Sequence, residues 1–149
     1  MTTCVWRRLD EPGMEIAHVE SFSSASGTQI GDGYELRWRL DGDLLELEVI
    51  GGARRAVELD EHDFFDVFAS PFFNSLPVMR DGLLAAGPAR DYTMAFVDVP
   101  SLDVTSLRQL YTPRGKGVVT YASGSFEADI VFDAEGFVTT YEGFLERVS

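Results

Sequence analysis

Residues Tyr34 to Val49 read Tyr-Glu-Leu-Arg-Trp-Arg-Leu-Asp-Gly-Asp-Leu-Leu-Glu-Leu-Glu-Val, and this stretch decides the fold class. Tyr34, Leu36, Trp38 and Leu40 alternate with Glu35, Arg37 and Arg39. Strict alternation puts successive side chains on opposite faces, which is the period of a strand and not of a helix. Asp41-Gly42 is a dipeptide that two-residue hairpin loops favour, because type I′ turns need positive φ at both central positions. Leu45, Leu47 and Val49 resume the alternation on a return strand. Gly51-Gly52 signals another turn, and Arg54 to Leu59 runs back. These residues predict a three-stranded meander with one buried face and one wet face.

Working outward, the same period recurs on both sides. Cys4 to Leu9 reads as a first strand and Asp10 to Gly13 as a turn. Met14 to Phe22 reads as a strand whose apolar face carries Met14, Ile16, His18 and Phe22. Ser21 to Gly33 is rich in Ser and Gly and reads as a loop or a frayed hairpin tip. Beyond the meander, strands are expected at Tyr92–Val99, Thr105–Thr112 and Val118–Ser123, with a turn over Pro113–Gly117. On the next strand Phe126, Ala128, Ile130 and Phe132 share a face. Asp133 to Gly136 is a hairpin loop, Phe137 to Tyr141 returns, and Gly143 to Val148 closes the chain. Helix is expected only as one or two short turns near Pro77–Ala86. The expectation is a mainly β chain of about ten strands in up-and-down order, forming one domain over residues 1–149.

Phe64 to Arg80 breaks the pattern. Five of the 11 phenylalanines lie in its first ten positions, followed by Pro71 and Pro77 as interruptions. Pro71 removes a backbone donor, so neither one strand nor one helix runs through it. Each ring carries roughly 150–250 Å² of surface to hide. An irregular segment this aromatic is buried or lines something apolar. Asn74, Ser75 and Arg80 stand among the rings. They either satisfy backbone groups in a Pro-broken loop or orient the polar end of an apolar ligand.

Composition excludes several function classes. The chain has 149 residues and a formal net charge of −13, from 12 basic and 25 acidic side chains. Nucleic-acid affinity rests on Lys and Arg neutralising phosphates, so no nucleic-acid partner is expected. No apolar run approaches the roughly 20 residues of a spanning helix, so stable membrane insertion is not expected. The N-terminus lacks the apolar core of a signal peptide, which makes a cytoplasmic location the expectation. One cysteine, Cys4, rules out an internal disulfide and a cysteine-based zinc cage. No metal or other cofactor is implied. Only two histidines exist. His18 falls on the apolar face of its strand. His62 lies four residues before Asp66, and the two meet only if that segment is helical. No Gly-x-Ser-x-Gly elbow is present.

Several of these residues together form a recognisable pattern. The chain opens with Trp6-Arg7-Arg8-Leu9-Asp10 and then Gly13-Met14-Glu15. Its middle reads Ser70-Pro71-Phe-Phe-Asn74-Ser75-Leu76-Pro77-Val78-Met79-Arg80. Its last third carries Val97 to Leu102, Gln109-Leu-Tyr111, Phe126-Glu-Ala128, Tyr141-Glu-Gly143 and Arg147. In these features it resembles the bacterial "putative glycolipid-binding" family, first known as a domain of unknown function. It departs from that family with Met79 where a second Arg is common, with Asp81 where an apolar residue is usual, and with a short Gly51–Asp60 segment that lacks a Trp. The resemblance implies a rolled, nearly all-β sheet reminiscent of lipoprotein carriers, and it brings no catalytic residues.

The resulting expectation is a single-domain antiparallel β-roll or incomplete barrel that binds a lipid or glycolipid in its concave face. Trp38, Phe64, Phe68, Phe72 and Phe73 would line the site, with Asn74 and Arg80 as its polar groups. Two alternatives stand beside it. One is a small enzyme acting on an apolar substrate with His62 or Asp66 as base. The other is a protein-interaction module that uses the aromatic stretch as its patch.

Overall fold

The computed structural model describes every residue from Met1 to Ser149. Its strands are β1 (Thr2–Arg8), β2 (Met14–Ser21), β3 (Ser24–Gly31), β4 (Tyr34–Asp41), β5 (Leu44–Val49), β6 (Arg54–Glu58) and β7 (Phe64–Val67). After a helical segment come β8 (Arg90–Val97), β9 (Val104–Gly115), β10 (Val118–Ser123), β11 (Phe126–Phe132), β12 (Val138–Tyr141) and β13 (Leu145–Arg147). All 13 belong to one sheet in the order β6-β5-β4-β3-β2-β1-β13-β12-β11-β10-β9-β8-β7. The chain therefore holds 13 strands, where about ten were expected; β3 and β7 are the unexpected ones.

The sheet has to roll. Its two edge strands, β6 and β7, are consecutive in the chain and joined only by Leu59–Asp63. A link of that length reaches at most about 20 Å. A flat sheet of this many strands at roughly 4.8 Å spacing would be about 58 Å wide. Rolling brings the edges together, and Arg55 Nη1 donates to the carbonyl of Leu102 across the seam at 3.2 Å.

Every neighbouring pair is antiparallel except β7 and β8, which run parallel from Phe64↔Met94 to Val67↔Val97. Parallel neighbours need a crossover, and here the crossover fills the roll. A 3₁₀ turn, Pro71–Asn74, runs directly into α1 (Ser75–Asp81). This helical segment begins earlier than the turns expected at Pro77–Ala86, and it ends at Gly82, whose φ of 66° supplies a left-handed cap. Both prolines fit because each stands in a first turn, where no backbone donor is required. Phe72, Phe73, Leu76 and Val78 are buried within the core. They act as a plug. Trp38 from β4 stacks on Phe72 at 5.3 Å and meets Phe73 at 4.9 Å.

Three local expectations are corrected. On β2 the inward residues are Glu15, Ala17 and Val19, while Met14 and His18 are exposed. The apolar-looking face points outward because Glu15, paired with Trp6, is needed inside to accept the Trp38 indole N–H at 2.7 Å. A register shift between Val19 and Ser21 then returns Phe22 inward, where it packs on Phe72 and Phe137. In the hairpin, Asp41 pairs with Leu44, so the loop is Gly42-Asp43 and Gly42 takes the positive φ of 59°. Pro113 continues β9 as far as Gly115 instead of starting a turn, tolerated by an irregularity opposite Val118–Val119.

The Ser- and Gly-rich segment is β3, not a loop. Its small residues leave room for neighbouring rings. Gly27 pairs with Trp38, and a Cβ there would stand 2.4 Å from the indole. Gly27→Ala therefore forces a buried ring to move. We expect a loss of roughly 1–3 kcal/mol, as for other overpacked cores. That lowers the melting temperature by several degrees, at about 2–4 °C per kcal/mol. An unchanged melting temperature would show that Trp38 does not rest on this glycine.

Candidate ligand-binding cleft

The plug does not fill the roll completely. A cleft of about 500 Å³ lies between the start of the plug and the strands that face it. Its walls are Phe68, Phe96, Leu107, Phe126 and Phe144. Its floor holds Asp66, Asn74, Tyr121 and Tyr141, all buried. Asp10 and Glu142 stand exposed at its lip beside Phe126, which is 51% exposed.

Register explains the floor. Paired residues on adjacent strands face the same side of a sheet. Tyr92 pairs with Gln109, Tyr111 with Tyr121, and Tyr121 with Ala128 on the far side. Tyr141 enters from β12 opposite Ile130. The result is a continuous aromatic row across the inner face. Centroids are 5.6 Å apart for Tyr111–Tyr121, 6.1 Å for Tyr121–Tyr141 and 5.1 Å for Tyr141–Phe144. Phe144 then meets Phe68 at 5.8 Å, which ties the row to the start of the plug.

Polar groups are set into this row. Gln109 Nε2 donates to Asp66 Oδ2 at 2.7 Å. Burial outweighs that hydrogen bond and pushes the Asp66 carboxyl up to about 7. Asn74 Nδ2 donates to the Tyr111 hydroxyl at 3.2 Å and anchors the end of the 3₁₀ turn. Burial also raises the Tyr121 and Tyr141 phenols, so both stay protonated at neutral pH. Arg8 reaches in from β1 and lies over the rings of Phe144 and Phe68, at 4.7 and 5.2 Å from their centroids. Its guanidinium is paired with Asp10 and Glu11. The hydrogen bond from Arg8 holds the Asp10 carboxyl below its usual range.

A second buried carboxyl, Glu15, faces the other side of the same chain segment. Gln29 Nε2 donates to the Phe68 carbonyl at 2.9 Å and to Ser70 Oγ at 3.0 Å, and Tyr34 donates to Gln29 Oε1. Burial pushes Glu15 up to about 8, against hydrogen bonds from Ser70, Trp38 and Gln29. This buried network fastens the start of the plug to the meander.

The sequence-expected site residues fall into three places. Phe68 and Asn74 line the cleft. Phe64 and Arg80 line a different groove of about 570 Å³, which shares no residue with the first. There the Arg80 guanidinium lies 4.3 Å over Phe64 and pairs with Asp81, which also accepts the Tyr92 hydroxyl at 2.6 Å. Trp38, Phe72 and Phe73 pack on one another in the core, almost without exposure. His62 and Asp66 do not meet. His62 bonds to the Leu59 carbonyl and to Ser106 Oγ, at 3.0 and 2.7 Å, while Asp66 faces the cleft. Tyr121, Tyr141, Phe126 and Phe144 were not singled out as site residues from sequence. The signal for two of them lay in the Phe126-Glu-Ala128 and Tyr141-Glu-Gly143 motifs.

A rolled, internally plugged β-sheet with an apolar-walled, polar-floored cleft defines a cleft-bearing β-roll in architecture. The chain belongs to the family described as "putative glycolipid-binding", whose model matches residues 38–147. Among solved structures it is similar to a DUF1089 family protein from Pseudomonas aeruginosa. That likeness has a TM-score of 0.65 at 22% identity and covers 99% of this chain and 93% of the other. At that identity it speaks for the fold. No curated protein matches the sequence.

The Glu15 network has a pH signature. A glutamate ionises near 4.5 when unconstrained, whereas Glu15 ionises at about 8 in the folded protein. The folded state therefore holds the proton more tightly. This contribution to stability is complete below about pH 4.5 and is lost progressively as the pH rises to about 8. Glu15→Gln keeps an acceptor for Trp38 but cannot ionise. Between pH 5 and pH 8 its melting temperature should gain on that of the wild type. Parallel pH profiles would mean that Glu15 ionises normally in the fold.

Proposed function

We propose that the protein is a cytoplasmic binder of a lipid-like or glycolipid-like molecule, held on the inner face of the rolled sheet in the cleft beside the plug. The observation that carries this reading is the cleft itself. Its volume of about 500 Å³ lies within the roughly 300–1,000 Å³ typical of small-molecule pockets. Its walls are phenylalanine and leucine, and Asp66, Asn74, Tyr121 and Tyr141 converge on its buried end. The family's description supports a lipid-like ligand bearing a sugar. Phe68 and Asn74 contribute directly. Trp38, Phe72 and Phe73 act from behind, by filling the rest of the roll and holding the cleft wall in place. Phe64 and Arg80 would serve a ligand only in the second groove.

One observation favours a second reading in the same cleft. A carboxyl that ionises near neutrality, as Asp66 does, is suited to exchange protons with a bound substrate. His62 lacks that placement. Mass spectrometry of a glycolipid incubated with the protein decides this. Turnover that disappears in Asp66→Asn would favour catalysis, and an unchanged ligand would leave binding alone.

Binding has its own test. Each buried methylene contributes about 0.8 kcal/mol, close to fourfold in affinity. In a series of single-chain glycolipids below their micelle concentrations, affinity for delipidated protein should rise about fourfold per methylene until the cleft is full. Affinity independent of chain length would remove the lipid reading. Phe126→Ala should weaken the longer ligands several-fold. Its melting temperature should change little, because about half of the residue is already exposed in the fold. A variant that melts early and binds normally would place Phe126 in the core and not at the cleft mouth.

A further inference from the structure

We propose that the ligand enters this cleft head first, and that its head is an uncharged polyol, such as a single hexose, seated against Asp66, Tyr121 and Tyr141 with the hydrocarbon directed towards Phe126. The proposal rests on the binding reading above and adds the orientation and the head-group class.

Polarity along the cleft sets the orientation. The buried end carries a carboxyl, the Asn74 amide and two phenol hydroxyls, whereas the open end carries the half-exposed Phe126 ring, with Asp10 and Glu142 at the lip turned to water. A hydrocarbon end pushed to the floor would strip water from those groups and return no hydrogen bonds. A sugar would return several. Tyr141 makes the case most directly, because no hydrogen bond within the protein engages its hydroxyl and that hydroxyl is not sealed from solvent. Asp66 accepts from Gln109 and from the Val67 backbone N–H, and its carboxyl has further acceptor capacity on the cleft side. Hydroxyl groups both donate and accept, so a polyol matches a mixed set of carboxyl, amide and phenol groups. The neighbouring rings of Tyr121, Tyr141 and Phe144 add an apolar surface for the C–H faces of a sugar ring.

Charge sets the class. No Lys, Arg or His lines the cleft, whereas Asp10, Asp66 and Glu142 do. Arg8, over the Phe68 and Phe144 rings, is already paired with two carboxylates. A phosphate, sulfate or carboxylate head would lose its water and meet carboxyl groups, with only the neutral Asn74 amide and hydroxyls to donate to it. The net charge of −13 opposes its approach as well.

Octyl glucoside, octyl sulfate and 1-octanol share a chain and differ in head. Each is titrated below its micelle concentration into delipidated wild-type protein, shown to be ligand-free by native mass spectrometry. Octyl glucoside should bind at least about tenfold more tightly than octyl sulfate or octanol, the effect of one to two well-made hydrogen bonds. Tyr141→Phe should reduce glucoside affinity about five- to tenfold and leave octanol binding unchanged. If octyl sulfate or octanol matches the glucoside, or if Tyr141→Phe leaves the glucoside unaffected, the head-first polyol assignment falls and the lipid cleft stands. If none of the three binds to folded protein, the cleft reading falls and takes this assignment with it. The wild-type comparison decides the head-group class even if the variant does not fold.

Discussion

The parallel pairing of β7 with β8 is the constraint on which the rest of the molecule depends. Antiparallel strands can be joined by two residues, but parallel ones require the chain to travel back to the starting end of the sheet. Here it travels from Phe68 to Ala89, and the rolled sheet leaves the interior as the place to bury its rings. Phe72 and Phe73 become the centre of the hydrophobic core, with Trp38 stacked against them. The roll and the plug thus need each other. Without the plug, the inner face of the sheet would be a wet hollow. Without the roll, the aromatic crossover would have nothing to cover it.

The start of the crossover is where fastening and recognition diverge. Glu15 and Asp66 are both buried carboxyls raised by desolvation, and they lie on either side of the same chain segment. Glu15 is enclosed by Trp38, Gln29 and Ser70, so its network holds the segment in place. Asp66 accepts from Gln109 and from the Val67 backbone, and its side chain lines the cleft. Similar desolvation therefore has two consequences. Where access is closed, the carboxyl acts in stability. Where access is open, it becomes available to a ligand. The volume beside the plug, rather than the whole concave face, is the open space that Asp66 lines.

The motifs behind the family resemblance meet at this segment. Asp10 stands at the lip with Arg8 buried behind it over Phe68 and Phe144, Glu15 fastens the start of the plug, and Asn74 touches Tyr111 within the Gln109-Leu-Tyr111 motif. Tyr141 and Gly143 line the cleft. Residues from the two ends and the middle of the chain converge because β1 pairs with β13 and the crossover lies across them. Met79, one of the departures from the family pattern, packs on Gly136, where a Cβ would lie 2.0 Å from its sulfur. Asp81, another, serves Arg80 and Tyr92.

The sequence by itself determined the strand-rich class, the meander of β4 to β6, the inward face of β11 and the aromatic weight of Phe64–Arg80. These follow from local rules: a period of two, turn residues at fixed offsets, and the need to hide phenylalanine. Only the tertiary structure decided three other things. It turned the apolar-looking side of β2 outward, because one indole N–H from β4 needed a carboxyl oxygen inside. It made a strand of Ser24–Gly31, because small residues were required under Trp38 and Tyr34. It divided the expected site residues among a core, a cleft and a second groove, and it brought Tyr121 and Tyr141 to the cleft floor instead. Each of these depends on a partner many residues away. Side-chain periodicity records which residues share a face, whereas register and crossover path decide what that face meets.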